Sequence, residues 1–169
     1  MIPVKIEQDN ITISNIEHCN IDSIIKCVNE TGESFQAMGR EKQFTYKDVE
    51  ERYMETLLSS LEFFCGIYVE GEFAGIIKGR LENKSRVELW VLSFILMERY
   101  RNQGIGARVV ECLEKYFSTG CDVRDFYVIV TQENKKGRDF WTSRGYSVAR
   151  IARNIYENQW GTIIYEKRS

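Results

Sequence analysis

Proline and histidine each occur once, as Pro3 and His18, and no two of the five cysteines are spaced C-x-x-C. One imidazole and scattered thiols form no cluster with metal-ligand spacing, so no metal is expected. The odd number of cysteines, three of them in apolar surroundings, points to free thiols in a reducing compartment rather than to a disulfide framework. His18 stands just before a helical pattern and reads as a surface residue. An excess of charge of one sign is also lacking. The formal net charge of −2 provides no global basic field, which argues against nucleic-acid binding by charge alone. The longest apolar stretch, Leu89 to Met97, is too short to span a membrane. The first residues, Met1 to Glu7, lack the basic and apolar regions of a secretory signal. These absences together predict a soluble cytoplasmic protein with neither nucleic-acid nor membrane partners.

What is present is core material. Apolar residues make up 43% of the 169, with nine Tyr, nine Phe and three Trp, a composition unlike that of a disordered chain. The length suits a single domain over 1–169, and no linker, repeat or low-complexity tract divides it. Ile11 to Ile16 alternates with the period of a strand. Ile21, Ile24, Ile25 and Val28 then mark one helix face, with Asn20 placed to cap it. Gly32 to Lys42 has neither period and reads as a loop. Thr45 and Asp48 resemble a capping box that opens a second helix carrying Val49, Tyr53, Leu57 and Leu61. Phe63–Val69 and Phe73–Lys78 flank a Glu70-Gly-Glu turn, the pattern of a hairpin. Arg86 to Met97 is apolar on both faces and is predicted to be central in its sheet. A helix with Ile105, Val109, Cys112, Leu113 and Tyr116 inward follows, then a buried strand, Phe126–Val130. A short helix, Asn134–Ser143, and two closing strands, Tyr146–Arg150 and Thr162–Tyr165, complete the chain. The predicted order is βααβββαβαββ, an α/β (α+β type) domain with a mixed, mainly antiparallel sheet flanked by helices.

The most informative segment is the turn between the central strand and the next helix, Arg101-Asn-Gln-Gly104-Ile-Gly106-Ala-Arg108. A helix start offers unpaired N–H groups and partial positive charge, which suit phosphate. Gly104 and Gly106 let the backbone approach closely, and Arg101 and Arg108 add charge. A P-loop is excluded, since no Lys-Ser or Lys-Thr follows the glycines. A dinucleotide fingerprint fits poorly, because Val109 stands where its third glycine belongs. Two other readings remain open on these residues alone: glycines serving turn geometry only, and a site for a different phosphate ligand such as a nucleotide.

Arg101-Asn-Gln-Gly104-Ile-Gly106, preceded by Tyr100, resembles the R/Q-x-x-G-x-G/A signature of the GNAT (Gcn5-related) N-acetyltransferase family. Asn134-x-x-Gly137-x-x-Phe140-Trp141-x-x-x-Gly145-Tyr146 is similar to that family's later N-x-x-A-x-x-F-Y-x-x-x-G-F pattern. The two occur in the family's order, and the element order resembles it from Ile11 to Tyr165. The resemblance implies transfer of an acetyl group from acetyl-CoA to a primary amine, small or protein-borne, by direct attack in a ternary complex, without a metal. It implies a bulged signature strand splayed from its neighbour, with the pantetheine arm in the gap against Phe94, Ile95 and Leu96. An N–H near Phe94 or Ile95 would polarise the thioester carbonyl. Arg101, Asn102, Gln103, Gly104, Ile105, Gly106, Ala107 and Arg108 would cradle the pyrophosphate. Asn134, Gly137, Phe140 and Trp141 would line the arm, although Asn134 also reads as a plain helix N-cap. Lys135, Lys136 and Arg138 would either meet the 3′-phosphate or remain solvated surface charge.

The sequence departs from the family in two places. Trp141 stands where many members have a tyrosine that reprotonates the CoA thiolate, and an indole N–H is not a useful acid. Tyr146, another tyrosine or water would then serve. The position of the catalytic Glu in some members falls on Trp90, which leaves Glu88, two residues earlier on the same strand face, as the candidate base. Glu88 also reads as an ordinary strand-end carboxylate. Acceptor-side candidates are Glu33, Phe35, Met38, Glu41, Tyr156, Glu157 and Trp160. The alternative function is a non-catalytic CoA-binding module of the same fold. Such domains commonly pair through closing or edge strands, so the resemblance also allows a homodimer.

Overall fold

The alternating segments of the sequence pair into a single sheet, which the helices cover from both sides. The computed structural model describes residues 1–32, 42–152 and 161–168. Its strands are β1 (Lys5–Gln8), β2 (Ile11–Asn15), β3 (Glu62–Val69), β4 (Glu72–Asn83), β5 (Val87–Leu96), β6 (Asp125–Thr131), β7 (Ser147–Ala152) and β8 (Thr162–Arg168). Its helices are α1 (Ile21–Val28), α2 (Tyr46–Leu58), α3 (Ile105–Cys121) and α4 (Lys135–Ser143), with 3₁₀ turns at His18–Asn20 and Glu98–Tyr100. The strand order is β1-β2-β3-β4-β5-β6-β8-β7. Every neighbouring pair is antiparallel except β5 with β6. The mixed, mainly antiparallel sheet expected from the sequence is therefore present, and β5 is central in it.

One strand was not foreseen. β1 folds back on β2 through a two-residue turn, with Gln8 opposite Ile11 and Asp9 at φ 51°. Its burial pattern is almost wholly open, so no hydrophobic alternation announces it. Asn20 does not cap α1, because its side chain instead accepts from the Glu17 N–H at 2.7 Å and closes the 3₁₀ turn before the helix. Thr45 and Asp48 do form a capping box, and Val49 and Tyr53 are buried. The expected continuation through Leu57 and Leu61 fails: Thr56 takes the inward position and donates to the Arg52 carbonyl, while both leucines are exposed. The remaining predicted elements lie within a few residues of the observed ones, except that β4 runs on past Lys78 to Asn83. The predicted Gly32–Lys42 loop falls mostly on residues outside those described.

Two cores result. On one face of the sheet, Val109, Val110, Leu113 and Phe117 of α3 pack on Ile13, Phe63, Ile77, Leu89, Val91 and Val128, together with Trp141 and Tyr146. On the other face, α1 and α2 cover Phe64, Ile76 and Ile95. Helices on both sides cover both faces of β5, which explains its near-continuous apolar run. All five cysteines are free thiols, and burial raises the Cys27 thiol to about 12. No helix among the described residues is long and apolar enough to cross a membrane.

Candidate functional site

β5 and β6 begin as a pair and then part. Their parallel ladder runs only from Glu88 opposite Asp125 to Val91 opposite Val128. Beyond it β5 continues to Leu96 and β6 to Thr131 without pairing to each other. The register between β4 and β5 shifts at the same place, because Gly79 faces Val91 while Lys78 faces Ser93. Leu92 is thus an extra residue, a bulge that bends β5 away from β6. On the side of β5 that looks toward β6, the backbone groups past Val91 have no strand partner. The gap holds about 40 Å³ and is lined by Leu92, Ser93, Phe94, Ile95, Val128, Ile129, Asn134 and Trp141 among others.

The gap opens into a cleft of about 600 Å³ between the end of β5, the start of α3 and α4. α3 starts abruptly. Its N-cap is Gly104 at φ 76°, a left-handed conformation suited to glycine, and no side chain caps the helix. The first hydrogen bond inside the helix runs from Arg108 N–H to the Gly104 carbonyl. The amides before it point out of the helix end, where a phosphate would be favoured. Gly106 brings the backbone against Phe140: a Cβ there would sit 3.2 Å from the ring. Arg101, Lys136 and Arg144 line the cleft against one carboxylate, Glu98, so its walls suit an anion.

The structure therefore brings together Phe94, Ile95, Leu96, Arg101, Asn102, Gly104, Gly106, Ala107, Asn134, Gly137, Phe140 and Trp141. Three expected cradle side chains turn elsewhere. Arg108 pairs with Asp9 at 3.0 Å and donates to Asn10, tying α3 to the β1–β2 turn. Gln103 donates to the Arg99 carbonyl at 2.6 Å, and Ile105 is core. Arg101 has a structural duty as well, because its Nε donates to the Leu96 carbonyl at 2.7 Å and braces the strand end. Asn134 caps α4, accepting from the Gly137 N–H at 2.8 Å, so its N-cap reading holds while it also faces the cleft. Trp141 is buried in a ring cluster with Phe94, Phe140 and Tyr146.

Neither catalytic candidate is among the residues that line this cleft. Glu88 sits on the paired part of β5, where one carboxylate oxygen accepts from Lys84 Nζ at 2.8 Å and from Trp90 Nε1 at 2.9 Å. Tyr146 donates its hydroxyl to Glu114 at 2.9 Å, and Lys167 holds the other oxygen of that carboxylate at 2.7 Å. Burial, then the Glu114 charge, pushes the Tyr146 pKa well above the usual range, so the phenol stays protonated. Tyr146→Phe is accordingly expected to cost about 1.5–3 kcal/mol of stability by removing one hydrogen bond to a charged group. A denaturant melt checks this, and an unchanged midpoint would show that the bond carries nothing.

Sequence reasoning passed over Ser143, Arg144 and Glu98 as cleft residues. Lys136, Phe140, Ser143 and Arg144 share one face of α4 by i, i+4, i+7 and i+8 spacing, so a helical projection would have found two of the three. The acceptor-side candidates Glu33, Phe35, Met38, Glu41, Tyr156, Glu157 and Trp160 lie outside the described residues. No group of three or more His, Cys, Asp and Glu among the described residues is placed to hold a metal ion.

The family model described as acetyltransferase (GNAT) domain matches residues 13–163. No curated protein sequence matches the chain significantly. Among solved structures, one similar in fold is an acetyltransferase from Salmonella typhimurium that modifies the N-terminal serine of the 50S ribosomal subunit protein L7/L12. It is 11% identical, covers 98% of this chain and 99% of its own, and superposes with a TM-score of 0.82. RimL, a ribosomal L7/L12 alpha-N-protein acetyltransferase, in complex with coenzyme A, is 11% identical over 98% of each chain, with a TM-score of 0.80. The microcin C7 self-immunity acetyltransferase MccE, in complex with acetyl-CoA and AMP, is 14% identical over 96% of this chain and 94% of that one, with a TM-score of 0.79. At these identities the likeness is one of fold.

Proposed function

Because the chain belongs to the GNAT acetyltransferase family, we propose that it is an N-acetyltransferase that moves the acetyl group of acetyl-CoA to a primary amine by direct attack. The observation that carries this is the parting of β5 and β6 after Val91–Val128, immediately beside the uncapped start of α3. The gap suits a thin, polar-flanked chain such as pantetheine, whose amides would meet the bare backbone of β5. The first-turn amides of α3, from Gly104 to Ala107, would hold the pyrophosphate, with Asn102 and Arg101 at its edge. Phe94, Phe140 and Trp141 would wall the arm, and Asn134 and Gly137 would border it.

Acetyl-CoA supplies an activated thioester. The chain's own part is to bind it, to orient its carbonyl against a backbone N–H near Phe94 or Ile95, and to keep the arm dry between two cores. Neither proton transfer passes through Glu88 or Tyr146 in this reading, because Lys84 with Trp90 and Glu114 with Lys167 already engage them. The acceptor is a small-molecule or protein amine, the setting is the reducing cytoplasm, and the wholly exposed edge strand β7 is where a homodimer would form.

Isothermal titration with acetyl-CoA, CoA, ATP and NAD tests the cradle. Binding of acetyl-CoA and CoA alone is the expected result, and a CoA-release assay over a panel of amines then seeks the acceptor. No binding of either would make the glycine turn structural, and preference for ATP or NAD would make it a nucleotide site. Trp141 in place of the usual tyrosine favours one second reading, a CoA-binding module without turnover. Binding without CoA release for any amine would select it.

A further inference from the structure

The gap between β5 and β6 has an open end at the start of α3 and a closed end at the rung of Val91 and Val128. A linear donor that enters beside Gly104–Ala107 and runs back along β5 brings its acyl end to that rung. On the α3 side the rung is sealed core, with Val91 4% and Val128 1% exposed. On the opposite side the adjoining rung pairs Trp90 with Tyr127, since each lies between two residues that point into the α3-side core.

This second rung is a rigid plate. The two rings stack at 4.6 Å with only 15° between their planes. Trp90 Nε1 donates to Glu88 at 2.9 Å, and Lys84, bonded to the same carboxylate oxygen, lies 5.4 Å over the indole. Trp90 is thereby held by a stack, a hydrogen bond and a cation, and is 9% exposed. A side chain fixed at three points does not swing aside to admit a longer ligand. Strands that had to part by bulge alone would leave the depth of the slot ill-defined; the plate fixes it.

We propose that the Trp90–Tyr127 pair is the end stop of the acyl slot and limits the donor to short acyl groups. The proposal rests on reading the gap as the channel for the CoA arm. Glu88 and Lys84 are positioning residues for the plate, acting through Trp90 and touching no substrate.

Isothermal titration of the full chain with CoA, acetyl-CoA, propionyl-CoA and hexanoyl-CoA tests it, each affinity being taken relative to CoA. Wild type is expected to bind hexanoyl-CoA on the order of tenfold more weakly than acetyl-CoA, and Tyr127→Ala to bring the two within about threefold. Tyr127→Val, which keeps a β-branched strand former, provides a second opening should the alanine variant fail to fold. Equal affinities in wild type, or an unchanged ratio in the folded variants, would overturn the end stop while leaving the CoA site intact. Failure of CoA itself to bind wild type would overturn the acetyltransferase reading, and the end stop with it.

Discussion

Gly106→Glu is expected to weaken acetyl-CoA binding by at least about two orders of magnitude, roughly 3 kcal/mol, while the protein stays folded. The side chain has nowhere to go but the cleft. Its Cβ alone would come within 3.2 Å of the Phe140 ring and 3.6 Å of Leu96 Cδ1. The carboxylate would then lie over the first-turn amides, where it would satisfy the helix end and repel the anion meant for it. The same electrostatics keeps the fold intact, because a negative charge near a helix start stabilises the helix. A thermal melt alongside titration separates the two effects. Wild-type affinity in a folded Gly106→Glu protein would show that the ligand does not use this helix start.

Gly75→Ala is expected to act on the fold itself. Gly75 of β4 faces Leu96 of β5, and an added Cβ would lie 2.2 Å from the Ile95 carbonyl oxygen and 3.0 Å from Leu96 Cα. Both are backbone atoms, so relief requires β4 and β5 to separate. The cost is about 3 kcal/mol or more, in the upper range for overpacking, because no side chain can rotate away. For a chain of this size that lowers the melting temperature on the order of 10 °C. The displaced atoms belong to Ile95 and Leu96, so the variant should also bind acetyl-CoA less well. Gly120→Ala is the internal control: nothing lies within 4 Å of its Cβ, and an alanine in the last turn of α3 should be neutral or stabilising by up to about 1 kcal/mol. A Gly75→Ala melt indistinguishable from that control would mean that the two strands are less tightly joined than their register implies.

The parts of this architecture that were legible beforehand are those in which side-chain period and burial agree. The apolar run Leu89–Leu96 marks β5 as central because helices cover both of its faces. The glycines at 104 and 106 mark an exposed helix start because Gly104 takes a left-handed conformation at the N-cap and Gly106 leaves room beside Phe140. β1 stayed hidden because an edge strand with open faces has no apolar alternation to display. Leu57 and Leu61 misled for a related reason: the helix they extend ends at Leu58, and a buried threonine takes the inward position by donating to the Arg52 carbonyl one turn back. Arg108 and Glu88 carry the residue types that their proposed chemistry needs. Asp9, the partner of Arg108, comes from a distant part of the chain and no local spacing encodes it, whereas Lys84 and Trp90 are near neighbours of Glu88 whose bonds to it depend on the β4–β5 hairpin geometry. The bulge at Leu92 was expected only from the family resemblance. It arises from a register mismatch between two strands, which neither strand's own sequence expresses.

The short parallel ladder between β5 and β6 has a thermodynamic consequence. It divides the sheet into a five-stranded meander and a three-stranded remainder joined edge to edge by four residue pairs. Parallel pairing is the weaker kind per residue, so this seam is where the sheet would first come apart in a partial unfolding event. A ligand lodged between the strands would contact both pieces at once and act as a splint. Its binding energy would be withheld from any state in which the pieces have separated, so loading would reinforce the coupling that the shared core under α3 already gives them.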